Sequence, residues 1–168
     1  MFPGTSVEHI RLNRIDPWPE VDGERSSVKA PHPFFTDHRV RQAFAAAVDR
    51  RTIAEQLYGA AGQLTSNFLN APKQFESPNT RWEFDLEKAA QLLEQAGWKR
   101  GRDGMRVKDG RRMKVLFQTT ANLVRQKTQA IVKQAAVGAT LQETVTVTVP
   151  VASFASARPL LVPSSRIV

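Results

Sequence analysis

Two short polar clusters, Thr65-Ser66-Asn67 and Thr119-Thr120 with Asn122, offer side chains able to hydrogen-bond a polar ligand. Hydroxyl and carboxamide groups both donate and accept, which suits the polar backbone of a peptide, and loops at strand ends are where such contacts gather. Thr119, Thr120 and Asn122 stand where a predicted strand passes into a predicted helix, so they are also placed to hold a ligand carboxylate at a helix N-terminus. Each cluster has a structural use too, and it is the commoner one: loop capping for 65–67 and helix capping for 119–122.

Other chemistries find less material. His32, Asp37 and His38 are metal-binding residue types, but Asp37 is better placed as a helix-start acid and His38 beside it points elsewhere on a helix, so no metal site is expected. Cysteine is absent, no Ser lies in a Gly-x-Ser-x-Gly turn, and no Gly-rich phosphate loop occurs. Neither an enzyme nor a cofactor is expected. Trp18, Trp82 and Trp98 read as core and staple residues rather than stacking platforms.

The 168 residues, 41% of them hydrophobic, are enough for one domain with a core of its own and too few for two. The start Met1-Phe2-Pro3-Gly4 lacks the basic-then-apolar order of an export signal, which implies a cytoplasmic chain if it is made as written. Lys and Arg number 24 against 16 Asp and Glu, a net charge of +8 that raises the alternative of a basic module for nucleic acid or an acidic surface. The densest stretch, Lys99 to Lys114, is interrupted by Asp103, Asp109 and three glycines, as a solvated hairpin would be, and no nucleic-acid partner is expected.

Periodicity predicts the elements that position these groups. Alternation over Val7 to Ile15 predicts a strand, and the prolines and glycine between Pro17 and Pro33 predict an irregular connector pinned by Trp18, Phe34 and Phe35. Thr36-Asp37 supplies an N-cap and a first-turn acid for a helix to Val48, whose stripe is Val40, Phe44, Ala47 and Val48. Asp49 caps a second helix that stops at Gly59, and a long exposed loop covers 60–82. Asp85 caps a third, with Leu86, Ala89, Ala90, Leu93 and Ala96 inward and Gly97 closing it. Asp109-Gly110 predicts a type I′ hairpin followed by a strand from Met113 to Thr119, then a helix over 122–136 with Gly138 just past it, then a strand over 144–149.

Phe35-Thr36-Asp37-His38-Arg39-Val40-Arg41-Gln42-Ala43-Phe44 followed by Ala47-Val48-Asp49-Arg50 resembles the F-x-D-x-R-V-R-Q-A signature of the family 5 extracellular solute-binding proteins. The similarity continues through Leu57-Tyr58-Gly59, Gly62 and Pro72 and into Phe84-Asp85-x-x-Lys88-Ala89-x-x-Leu92-Leu93-x-x-Ala96-Gly97-Trp98. Gly104 with Arg106, the Lys108-Asp109-Gly110 turn, and Gln118-Thr119-Thr120 before Asn122 and Arg125 extend it to about Gln134.

The resemblance implies an α/β chain forming part of one lobe of a two-lobed, periplasmic-binding-protein-like fold, in which hinge closure buries the ligand between lobes. It implies capture of a peptide or similar small solute for an ABC permease, in the periplasm, by a monomer, and weak binding by one lobe alone. Residues 1–35 are then the return strand and connector from the first lobe and 36–149 a partial second lobe. The Val40 and Leu93 helix faces are expected to cover a sheet. Residues 150–168, with prolines at 150, 159 and 163, are expected to be poorly ordered or the product of a reading frame shifted near Ala135, in a coding sequence truncated at its start.

Overall fold

Alanine spacing decides how the two best-defined helices meet. In the computed structural model, which describes residues 7–69 and 71–138, α1 spans His38–Ala46 and α3 spans Leu86–Gln95, with α2 (Arg50–Ile53) between them. The Asp37 carboxylate accepts from the Arg39 N–H at 2.9 Å and is the N-cap of α1, whereas the Thr36 hydroxyl donates to the His32 carbonyl instead. Asp85 caps α3 through the Lys88 N–H at 2.8 Å. Gly97, at φ +88, ends α3 in a Schellman motif: Gly97 N–H bonds the Glu94 carbonyl and Trp98 N–H bonds the Leu93 carbonyl, both at 2.9 Å.

α1 and α3 run antiparallel, because Asp85 N–H reaches Ala46 O at 3.0 Å while the Arg39 guanidinium, at the other end, donates to Gln95 O at 2.8 Å. Val40, Ala43, Ala46 and Ala47 are buried against Ala89, Leu93 and Ala96, and the small side chains let the backbones approach closely. Phe34 meets Trp98 edge-on at 5.2 Å, Phe35 meets Phe44 at 5.0 Å, and Met113 completes the core. The helix faces expected to cover a sheet therefore cover each other; among the described residues no strand residue joins the cluster, and Met113 and Val115, which lie in no strand, pack against it.

Asp49 caps α2 through Thr52, and the chain widens into a π-helical turn at Ala54–Tyr58 and a 3-10 turn at Gly59–Ala61, with Gly59 at φ +54. The described residues of 60–82 are loop, as expected, apart from that turn and a second 3-10 turn at Lys73–Phe75. α4, Leu123–Gly138, starts at the expected place and includes Gly138 rather than ending before it.

The strands depart most from expectation. The connector holds a small hairpin, β1 (Glu20–Val21) with β2 (Glu24–Arg25), turning at Asp22-Gly23 with φ +55 and +78. Asp109-Gly110 repeats that geometry, φ +50 and +73, between β4 (Arg106–Lys108) and β5 (Arg111–Arg112), and β3 (Lys99–Arg100) adds an edge to give the order β3-β4-β5. The expected strand over 7–15 is reduced to a single bridge, Ile15 to Pro31, and the one expected over 113–119 does not form, since β5 ends at Arg112 before it. A strand needs a partner for its N–H and C=O row; Pro31 has no N–H to give, and β4 is three residues long. The expected strand over 144–149 and the expected disordered or frame-shifted tail lie outside the described residues.

Candidate ligand site

Four of the six candidate side chains are committed to local structure. Thr65 Oγ1 accepts from Asn67 N–H at 3.0 Å, and the Asn67 carboxamide grips Ser77, accepting from its N–H at 3.1 Å and donating to its carbonyl at 3.4 Å. That clasp closes the loop from 67 to 77. Asn122 Oδ1 caps α4, accepting from Val124 N–H at 3.0 Å and Arg125 N–H at 3.2 Å, and Thr120 Oγ1 accepts from Arg125 Nη1 at 3.5 Å. The hydroxyls of Ser66 and Thr119, both half-buried, make no hydrogen bond among the described residues.

The two loops approach adjacent residues of the N-terminal segment, one through Arg125 just past 119–122 and the other through Phe68 just past 65–67. Arg125, on the first turn of α4, grips the Glu8 carboxylate with two prongs, Nη2 to Oε1 at 2.9 Å and Nε to Oε2 at 3.2 Å. Next along the chain, the His9 ring meets the Phe68 ring edge-on at 5.7 Å, beside the 65–67 cluster. Tyr58, from the π-helical turn, lies in the field of this pair: burial raises its hydroxyl pKa, Glu8 adds to the rise, and Arg125 opposes it. The Glu8 carboxylate and its bond hold the Arg125 guanidinium further above its ordinary value. Residue types gave no signal for Glu8, since its partner lies 117 positions away.

Two of the three residues weighed for a metal, His32 and Asp37, are otherwise engaged. His32 Nδ1 accepts from Phe34 and Phe35 N–H, each at 3.2 Å, and the ring stacks on Phe35 with centroids 4.7 Å apart. Burial pushes the His32 pKa down, partly countered by Asp16. Asp37 is held at about 2 by its hydrogen bond from Arg39. No three His, Asp or Glu side chains converge on one point among the described residues.

The tryptophans divide three ways. Trp98 is buried in the core, as expected, and Trp82 lies half-buried beneath the Arg50 guanidinium, 4.9 Å from its ring centroid. Trp18 is 66% exposed and pins nothing, contrary to expectation, because the β1-β2 hairpin orders the connector instead. The basic stretch is not all solvated either. Arg106 is buried, donating to the Trp98 carbonyl at 3.0 Å and to the Glu94 carboxylate, and Lys108 Nζ caps α3 at Ala96 O, 2.8 Å away.

The sequence model of the bacterial extracellular solute-binding proteins, family 5, middle region, matches residues 2–151, and the chain belongs to that family. It is 33% identical over 107 residues to the oligopeptide-binding protein AppA of Bacillus subtilis, a match covering 60% of this chain and 19% of that protein. The solved oligopeptide-binding protein of Thermus thermophilus, complexed with a pentapeptide, superposes with a TM-score of 0.59 at 30% identity, over 68% of this chain and 20% of that one. AppA bound to a nonapeptide gives 0.60 at 28%, over 70% and 24%. The fold is thus α/β and corresponds to part of a periplasmic-binding-protein-like structure; the chain spans about a fifth of the length of these relatives.

Proposed function

We propose that this chain supplies one ligand-facing part of the peptide-binding subunit of an ABC importer, acting outside the cytoplasmic membrane and without catalysing a reaction. The Ser66 and Thr119 hydroxyls contact the bound solute, while Thr65, Asn67, Thr120 and Asn122 hold the two loops in shape. The observation that carries this reading is the convergence of both loops on Glu8 and His9, through Arg125 and Phe68. Peptide is favoured as the solute because the relatives above are named for peptides or hold them. Hydroxyls that both donate and accept suit an amide backbone. A closed clamp is stabilised by contacts from both lobes, so these residues alone bind weakly.

Amide chemical-shift mapping of the chain with a pooled pentapeptide library at millimolar concentration tests the reading. Saturable shifts confined to 65–67, 119–122 and their neighbours support it. Shifts centred elsewhere, or none, reject it.

A further inference from the structure

The β3-β4-β5 hairpin sorts its cations into two sets. Arg106 and Lys108 are spent inward, on the Glu94 carboxylate and on carbonyls at the C-terminal end of α3. Lys99, Arg100, Arg102, Arg111, Arg112 and Lys114 are all exposed, against two exposed acids, Asp103 and Asp109. The register puts Arg100, Arg106, Lys108 and Arg111 on one face of the sheet and Lys99, Val107 and Arg112 on the other, so the exposed cations ring the hairpin on both faces rather than lining one. Lys99 pairs with Glu94 and Arg112 with Asp103, but these side chains stay between 39% and 73% exposed, and such pairs give way readily to other anions.

From this arrangement we infer that the hairpin is a docking surface for anionic phospholipid headgroups, seating the protein against the membrane. A planar anionic surface asks only for net positive charge within a Debye length, which six exposed cations in and beside a short hairpin provide. Nucleic acid fits less well. Strands of two and three residues make rows too short to follow a duplex backbone, Trp98 is buried and offers no stacking face, and Asp103 and Asp109 oppose close phosphate contact. A family described as extracellular also meets lipid headgroups where it works. The inference does not depend on the ligand reading.

Co-sedimentation of the full chain with vesicles tests it, comparing pure phosphatidylcholine with phosphatidylcholine carrying about 30 mol % phosphatidylglycerol, at about 50 and about 300 mM salt. Expected is binding to the anionic vesicles alone, weakened at least about tenfold by the higher salt and by Arg100→Gln, Arg102→Gln, Arg111→Gln and Lys114→Gln combined. A control carrying the same charge loss elsewhere, Arg14→Gln, Lys73→Gln, Arg81→Gln and Lys127→Gln, keeps most of the binding. Circular dichroism melts check that both variants fold, and a hairpin variant that does not fold is replaced by single substitutions, each expected to weaken binding. Binding indifferent to phosphatidylglycerol, equal losses in the two variants, or tighter binding to duplex DNA at the same salt overturns the inference.

Discussion

Arg125 and Glu8 join the start of α4 to the N-terminal segment by a bidentate ion pair, with Nη2 2.9 Å from Oε1. The pair is what brings the 119–122 loop to the stretch that Phe68 also touches. Both side chains are close to half exposed, so the pair is a positional clasp more than a source of stability. Glu8→Gln is expected to cost under about 1 kcal/mol in urea unfolding, with the difference vanishing at high salt. A loss that persists in high salt would mean that Glu8 acts by something other than charge.

Stability falls with acid through His32. Its pKa is lowered in the folded chain, chiefly by burial, so the unfolded chain binds the proton more readily. The stabilisation is therefore complete above the ordinary value of 6.5 and is lost as pH falls through the lowered folded value. Protonation also removes the acceptor used by Phe34 and Phe35 N–H. Thermal melts taken from neutral to mildly acidic pH should show this slope, and His32→Asn, which keeps an acceptor that does not titrate, should flatten it.

A second acid step belongs to Asp37. Its folded value is about 2 against an ordinary 3.8, so its contribution is present above 3.8 and disappears as pH drops toward 2. Asp37→Ala removes the α1 cap as well, at about 1 kcal/mol near neutral pH, measurable by chemical denaturation.

Leu93 is fully buried between α1 and α3. Leu93→Ala is expected to cost about 2–5 kcal/mol, enough to abolish cooperative unfolding in a chain that also exposes Trp18, Val28, Phe68, Leu69, Phe75 and Leu123. A cooperative melt with an unchanged midpoint would contradict the α1–α3 core.

Local chemistry was legible in the sequence where it acts over a few residues. Asp49 and Asp85 as caps, Gly97 as a helix stop and Asp109-Gly110 as a turn all followed from type and spacing, whereas Asp37, expected as a first-turn acid behind a Thr36 cap, is itself the cap. Asp22-Gly23 carries the same signal, but the surrounding prolines obscured it. Strands were less legible, because alternation specifies a face and not a partner, and residues 7–15 and 113–119 have alternation without a full ladder. The inward turn of Arg106 and the Glu8–Arg125 clasp depend on contacts between residues apart in sequence, which a one-dimensional pattern does not contain.

The central claim is that these loops belong to a peptide-binding cleft, and a chimera tests it most directly. Residues 7–138 would replace the matching segment of Bacillus subtilis AppA, and nonapeptide binding would be measured by titration calorimetry. Stoichiometric binding is expected, weakened at least about tenfold by Ser66→Ala with Thr119→Val while the melting temperature holds, as loss of two ligand hydrogen bonds requires. A chimera that melts cooperatively yet binds no peptide, or binds equally well without both hydroxyls, would contradict the account.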